Sequence, residues 1–579
     1  MPHQATETVT GTARPPTDWQ SVDWRKAAQV VRNLRGRIFR ATQQGARQRV
    51  RSLQKLMLRS YSNTLLSVRR VTQENRGKRT PGVDTVVVTT PSLRGRLVDL
   101  LMTNQPWRAH PARRVYIPIA NGKQRPLGIP TVLNRCLQAR VKNALEPAWE
   151  ACFEGSSYGF RPGRSTQDAM VRLTLIANPH GTKPWVVDAD IKGAFDNISH
   201  DYILNAISSF PAKALVRQWL KAGYVDGDVF HETETGTGQG SVVSPLLANI
   251  ALHGMEAALG IHYDRQGRNR SARSVLRYAD DFAVFCQTKA DAEQAVRDLT
   301  GWLAIRGLTL SPEKTRIVHL DEGFDFLGHH VQRYTVNQTR TGRKLRITPS
   351  NDAVKQLRDK LRTAWKSQVH KPVAAVCQSL NPIIRGWANY HRTTVCSHTF
   401  AYLDSWMFRR AAQWAKRRHP TKSVTWRSQR YWGQLHRRRQ DRWVFGDKHS
   451  GYYLLKFSWF PWRQHILVKG TASPDDPSLR DYWQRRWDAH ATTLKPTQRR
   501  LAYAQDGRCP VCGVELLNGE DLQVHHLLPH GDPQRNDERY QQLVHLLCHQ
   551  QLTNEQHQRT RAQSPPVNAG EPPRSPVAS

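Results

Sequence analysis

The stretch VLRYADDFAVFC at 275–286 limits what this chain can be more than any other. Two aspartates, Asp280 and Asp281, stand side by side in an otherwise apolar run. Val275, Leu276 and Tyr278 favour one strand, and Phe282, Val284 and Phe285 favour a second. The stretch therefore predicts a hairpin with Ala-Asp-Asp as its turn. Aspartate is a common turn former, which accounts for either residue alone. Adjacent carboxylates also repel, and a divalent cation relieves that repulsion; Mg2+ is usually held by one or two carboxylates plus substrate phosphates. The choice between turn and metal site rests on what else the chain supplies.

The bulk properties narrow the class. With 579 residues there is length for several domains, each with its own core. Lys and Arg number 86 against 47 Asp and Glu, a formal net charge of +39, which implies a polyanionic partner, nucleic acid before any other. No run reaches 18 apolar residues, and the opening MPHQATETVTGTARPPTDWQ has no signal-peptide core. We therefore expect no membrane partner and a cytoplasmic or organelle-interior location, not secretion. Of the eight Cys, five are scattered, while Cys509, Cys512 and Cys548 fall in one short region. That pattern fits a reducing compartment and one metal site rather than a disulfide framework.

Organisation follows from patterning. Residues 1–20 read as disordered, and 21–85 as a basic, helix-prone extension suited to RNA. From 86 to 335 strand-like runs alternate with helical patterns, an α+β reading. Residues 345–470 are mostly helical, with Arg and Trp in excess; 471–504 opens on the Pro/Ser/Asp stretch TASPDDPS and reads as a linker; 505–552 is rich in Cys and His; 553–579 lacks aromatics and reads as a disordered tail.

A second acidic strand answers the opening question. In WVVDADIKGAFDNISH (185–200), Trp185 to Ile191 predicts a buried strand, with Asp188 and Asp190 on one face, ninety residues before the hairpin. Together these acids can hold two metal ions about 4 Å apart, the arrangement that activates a 3′-hydroxyl and stabilises a leaving pyrophosphate. At this point YADD (278–281) and DIKGAFD (190–196) resemble the two aspartate motifs of reverse transcriptases. GTGQGSVVSPLLANI (236–250), RRVYIPIANGKQRPLGIPTVLNRCLQ (113–138), SYGFRPGRSTQDAM (157–170), LTLSPEKT (308–315) and FDFLGHHV (324–331) are similar to the accompanying motifs. Their order and spacing resemble group II intron-encoded proteins, which combine reverse transcriptase, RNA maturase and often DNA endonuclease.

The resemblance implies a multidomain α+β fold: a right-hand polymerase (fingers-palm), an α-helical thumb/maturase domain and a C-terminal ββα-metal HNH zinc module. It implies two Mg2+ held by Asp190, Asp280 and Asp281, with Asp188 as a structural acid. Phe195 would exclude a 2′-hydroxyl, with a core Phe as the alternative. Lys123 and Arg125 would meet the incoming triphosphate, and Gln239 and Gly240 would lie under the nascent base pair. Lys314 would neutralise the leaving group, or be an ordinary solvated lysine. Gly238 stands where the family usually has Pro. The position of Asp196 loosely resembles RNA-templated RNA polymerases, but Tyr278 and Phe195 argue against that rival.

In SLNPIIRGWANYHRTTVCSHTFAYLDSWMFRRAAQWAKRRHP (379–420), Asn381 predicts a helix cap with Pro382 in the first turn. Ile383, Ile384, Trp387 and His391 then share a face, with Arg385 and Asn389 elsewhere. Ten of the 18 Trp lie within 387–487, interleaved with basic runs, which predicts an aromatic core under basic outer faces. RGWANYH and YWGQLHRRR resemble the maturase domain, which implies binding to the intron RNA and support of its splicing; a generic polymerase thumb is the alternative.

Finally, CPVC (509–512), VHHLLPHGD (524–532) and LVHLLCHQQ (543–551) pair Cys-x-x-Cys with His-x-x-Cys. Cys509, Cys512, His545 and Cys548 fit a closed structural Zn2+ site. The remaining histidines resemble the HNH nuclease: His526 as general base, with His525 and His549 on a divalent ion at the scissile phosphate. A zinc-knuckle DNA-binding module is the alternative. Tyr540 occupies the place of the usual middle Asn, with Asn536 nearby. Upstream, ASPDDPSLRDYWQRR (472–486) resembles the DNA-binding segment that precedes this nuclease in the family, so the resemblance makes 471–504 a linker and DNA-binding segment. The expected protein binds intron RNA, deoxynucleoside triphosphates and target DNA, nicks that DNA and primes reverse transcription from the nick. A splicing-only maturase and a free-standing reverse transcriptase are the alternatives.

Overall fold

The computed structural model of the protein describes residues 15–553, apart from 104–106, 119–123, 338–340, 437, 492–493, 514, 518–519, 530, 547 and 551. Lys123, residues 1–14 and the tail from 554 lie outside the described residues. The chain divides into two compact units, one of residues 1–346 with 465–483, the other of 347–464 with 484–579.

The first unit opens with the helices Trp24–Gln43, Arg47–Arg59 and Tyr61–Arg69, the basic extension the sequence predicts. Asp23 caps the first of them, and Ala27, Val31, Leu34, Ile38 and Phe39 bury at helical spacing while most of the arginines face out. Residues 15–20, expected to be disordered, are anchored instead. Thr17 donates from N and Oγ1 to the Asp99 carboxylate, and Trp19 buries edge-on against Trp24. One indole with a nearby carboxylate outweighs the local polar composition.

The strands that build the site are, in chain order, Ala112–Pro118 (β1), Gln124–Ile129 (β2), Trp185–Ala189 (β3), Tyr224–Asp226 (β4), Val229–His231 (β5), Ser274–Tyr278 (β6), Asp281–Cys286 (β7) and Arg316–His319 (β8). They form two sheets, ordered β2-β1-β4-β5 and β6-β7-β3-β8. In the second, β3 pairs antiparallel with both β7 and β8. Val186, Val187, Phe282, Val284 and Phe285 are fully buried there, and the helix Lys289–Ala304 lays Ala292, Ala295, Leu299 and Leu303 into the core.

Residues 471–478, expected as a linker, are packed into this unit. Asp475 is buried against Arg35, whose guanidinium also meets Glu146. Just before them, His465 and the Val468 N–H both meet Asp168. Proline and aspartate mark a break in regular structure, not a break in packing.

The second unit is helical over Asn351–Ser367, Val373–His391, Ser397–Arg418 and Val424–Tyr431. As predicted, aromatics make its core: Trp365, Trp406, Trp414, Trp432, Phe445, Phe457 and Trp459 are buried, while Arg409, Lys416, Arg417 and Arg418 are exposed. Asn381 corrects the reading. It is no cap; the helix runs through Pro382, and buried Asn381 donates to Tyr453 O and accepts from Leu455 N. The apolar face Val376, Cys377, Leu380, Ile384 and Ala388 continues across the proline and carries the helix with it. Arg385, placed away from that face, is buried too, against Glu520. No helix among the described residues is long and apolar enough to cross a membrane.

Candidate active site and metal centre

The YADD hairpin is tighter than the sequence predicts. Tyr278 pairs with Asp281, so only Ala279 and Asp280 form the turn, and Ala279 takes the positive φ of 61°. Asp281 therefore opens β7. Ala189 pairs with Phe282 across β3 and β7, so Asp190, the next residue, comes opposite Asp281. Register alone brings the two motifs together.

The hairpin is braced from behind by residues the sequence reading missed. Arg277 is fully buried and donates through Nη1 to Asn249 Oδ1 and Ala279 O, both at 3.1 Å. Asn249 in turn donates to Gly159 O at 2.9 Å. A Cβ on Gly159 would sit 2.4 Å from the Ala279 nitrogen, so only glycine lets this segment pass under the turn. The main chain of Arg277 also bonds Ser156 O and Tyr158 N. A charged residue inside an apolar strand run was the available signal.

The acids are unequal. Burial, then the charges of Asp280 and Asp190, pushes Asp281 up to about 6. Asp280 is raised by burial and by Asp190. Lys314 Nζ lies 2.5 Å from Asp190 Oδ2, and this pair raises the lysine. Asp188, also raised by burial, is bonded by Arg316 at 3.0 Å.

Arg125, Gln239 and Gly240, expected around the nucleotide, lie close together. Arg125 Nε, on β2, donates to Gln239 Oε1 at 2.9 Å, and Gln239 Nε2 donates to the Asp196 carboxylate at 3.0 Å. The Gly128 N–H donates to Gln239 O at 2.7 Å. Gly240 carries a φ of 106°, and a Cβ there would lie 2.5 Å from Gly128 O. Gly238 has open space on its Cβ side. Phe195 is nearly buried, edge-on to exposed Phe160 at 6.2 Å, and borders a cavity of about 290 Å3 with Gln239 and Trp219.

In the second unit, Cys509, Cys512, His545 and Cys548 bring one donor atom each within 4.8 Å of one another, the one such group among the described residues. Tetrahedral thiolates ~2.3 Å from an ion would fit that spacing. His545 turns Nδ1 to Cys512 Sγ (3.3 Å) and Nε2 to Glu515 O (3.1 Å), so the backbone fixes which nitrogen faces the thiols. Glu520 lies 4.0 Å behind His545 and is gripped by Arg385 through both oxygens. The strands Leu522–His526 and Gln541–His545 pair antiparallel, and helical residues follow from 546. His525 and His549 meet edge-on, with ring centroids 5.4 Å apart. Leu527 N–H closes the intervening loop on Tyr540 O at 2.8 Å, a bond that needs no side chain at 540.

Comparison with known proteins agrees with this geometry. The reverse transcriptase (RNA-dependent DNA polymerase) family matches residues 117–331, the N-terminal domain of reverse transcriptase matches 19–101, and the group II intron maturase-specific domain matches 354–432. The chain belongs to the group II intron-encoded reverse transcriptase/maturase family. It is 36% identical to Protein YkfC of Escherichia coli K12 over 318 residues, covering 48% of this chain and 82% of that protein. It is 31% identical to the group II intron-encoded protein LtrA of Lactococcus lactis subsp. cremoris, covering 44% of this chain and 52% of LtrA. Maturase-like protein 1 of Euglena gracilis is 24% identical, over 65% of this chain and 77% of its own length. The matched part thus spans about half the length of LtrA. None of the three family matches reaches the Cys/His module of this intron-encoded protein.

Proposed function

We propose that this protein is the RNA-directed DNA polymerase, splicing cofactor and DNA-nicking enzyme of a group II intron ribonucleoprotein. The observation that carries the polymerase reading is the register that sets Asp190 opposite Asp281, with Asp280 in the turn beside them. The donor set suits two Mg2+: oxygen ligands only, two of them raised by burial and mutual repulsion that a dication would relieve. When bound, the ions would supply an activated 3′-hydroxyl and charge relief at the leaving pyrophosphate. The chain's own side chains do the rest. Arg125, with Lys123, binds the deoxynucleoside triphosphate; Gln239 and Gly240 support the nascent pair; Phe195 closes the space a 2′-hydroxyl needs; Lys314 meets the leaving group. The basic N-terminal helices and the maturase faces take intron RNA through its phosphates.

For the C-terminal module we read Zn2+ at Cys509, Cys512, His545 and Cys548. His526 is the general base, with a divalent ion at His525 and His549. The ββα order supports an HNH nuclease, and the backbone closure at Tyr540 supports a formed loop despite the missing Asn. A nicked DNA 3′ end then primes reverse transcription, the step that moves the intron.

The test is Asp280→Ala. Primer extension on an RNA template should vanish while filter binding of RNA persists; extension at the wild-type rate overturns the polymerase site. In parallel, His526→Ala should stop nicking of duplex DNA, and an unchanged rate removes His526 as base.

A further inference from the structure

We propose, on the polymerase reading of the aspartates, that Arg277 is the positioning residue of the metal site. It holds the turn that presents Asp280 and Asp281, and it ties that turn through Asn249 to the helix behind the nucleotide loop.

An arginine is a costly way to fill this position. Arg277 is fully buried, and burial holds it down near 10, so it keeps its charge at neutral pH. Glu154 and Glu256 attract it at a distance, but its Nε and Nη2 meet no acceptor among the described residues. A buried cation bonded so incompletely adds little to stability, and an apolar side chain of similar volume often does better. What the arginine supplies is Nη1, which donates to Asn249 Oδ1 and to Ala279 O, both at 3.1 Å.

The bond to Ala279 fixes a peptide. Ala279 sits at a φ of 61°, a conformation that an L-residue rarely adopts unaided. In a trans peptide the carbonyl and the N–H point opposite ways. Ala279 O turns in to Arg277, so the Asp280 N–H turns out, where it bonds the carboxylate of its own residue. Without the guanidinium that peptide can rotate, and Asp280 turns with it, away from Asp190 and Asp281. The root of the Arg277 side chain is fixed as well, since its main chain accepts from Tyr158 N at 2.9 Å and donates to Ser156 O at 3.0 Å.

The bond to Asn249 gives the turn a partner. Asn249 belongs to the helix Ser244–Ala251, which follows directly on the loop carrying Gln239 and Gly240. Its amide has one orientation, because Oδ1 accepts from Arg277 and Nδ2 donates to Gly159 O at 2.9 Å. Phe160, next to Gly159, lies edge-on to Phe195. The Arg277–Asn249 pair thus stands between the residues proposed to meet the nucleotide and the carboxylates proposed to hold the ions. A shift of the loop on nucleotide binding reaches Asp280 through it.

The test uses the full-length protein. Mn2+ binding is followed by electron paramagnetic resonance without nucleic acid, counting only the sites that Asp280→Ala abolishes. Arg277→Met, which removes both hydrogen bonds, should weaken Mn2+ at those sites about tenfold, the scale of a lost partner behind a metal ligand. It should lower kcat for primer extension about 100-fold, as a small misplacement of reacting groups does. KM for deoxynucleoside triphosphates should change less than about twofold, because Arg125 is untouched. Arg277→Lys should recover part of both losses, since an ammonium can make one of the two bonds. Thermal midpoint and filter binding of RNA should match wild type, which separates a displaced turn from a lost fold. Asn249→Leu, which keeps Arg277 and removes its anchor, should move Mn2+ affinity and kcat the same way by a smaller factor, and it carries the test if Arg277→Met does not fold. Wild-type Mn2+ affinity in whichever variant folds overturns the proposal, as does a loss that falls on KM alone. Wild-type protein that binds Mn2+ at the aspartates yet extends no primer refutes the polymerase reading, and the Mn2+ comparison then decides for or against Arg277 by itself.

Discussion

Lys314 Nζ sits 2.5 Å from Asp190 Oδ2, so the first aspartate of the proposed polymerase site is paired with a largely exposed cation. The lysine is largely exposed, and an exposed pair contributes only about 0–1 kcal/mol. On the proposed reading, a dication would displace it toward the departing pyrophosphate. Lys314→Ala should lower the extension rate about 100-fold, the scale of a lost proton donor. It should also reduce the Mg2+ concentration needed for half-maximal rate, because a competitor for Asp190 is gone. Steady-state extension against Mg2+ measures both, and an unchanged rate would make Lys314 a bystander.

Asp281 sets a pH dependence whose sign is fixed by its raised value. An unfolded aspartate titrates near 3.9, and this one near 6. The folded protein holds the proton more tightly, so this group's contribution to stability is full below about 4 and is lost as pH rises through 6. Asp281→Asn should raise the thermal midpoint of metal-free protein at pH 7.5 and leave it nearly unchanged at pH 4. Added Mg2+ should narrow the gap at pH 7.5 by stabilising wild type alone. A variant that melts lower than wild type at pH 7.5 would contradict the assignment.

The motifs and their strands were legible because alternation and turn residues are local properties, and the Cys and His spacings name their own ligands. The register that sets Asp190 opposite Asp281 comes from the pairing of β3 with β7, more than ninety residues apart. What was not legible depends on distant partners. Arg277 could be seen as odd in an apolar strand, but nothing in its neighbourhood names Asn249. Asn381 reads as a cap because Pro382 follows it; its actual role depends on Tyr453 and Leu455, more than seventy residues away. Asp475 reads as linker until Arg35, 440 residues earlier, is set against it.

Gly240 should tolerate no side chain. Its φ of 106° is unfavourable for any L-residue, and a Cβ would lie 2.5 Å from Gly128 O. Gly240→Ala must push the loop off β2 and disturb the Gln239–Gly128 bond, and with it the Arg125–Gln239–Asp196 chain. The strain, about 1–3 kcal/mol, should appear as a raised KM for deoxynucleoside triphosphates with little change in RNA affinity. Gly238→Ala is the control, since open space lies on its Cβ side. Equal effects at 238 and 240 would refute the steric account.

Glu520 ties the thiol cluster to the maturase helix. It lies 4.0 Å from His545 Nε2 and is held by Arg385, both partners of the ion pair being nearly buried. Removing one member of a buried pair strands the other charge and costs about 3–5 kcal/mol. Glu520→Ala should therefore lower the unfolding free energy of the second unit by that amount, and Glu520→Gln by less, since an amide still accepts from Arg385. Stripping metal with a chelator should destabilise the same unit, because the four ligands then lose the ion that holds them together. If the thiol cluster is coupled to the helix through Glu520, chelation and Glu520→Ala together should cost less than the sum of their separate effects. Strict additivity would show that the cluster and the maturase helix fold independently of each other.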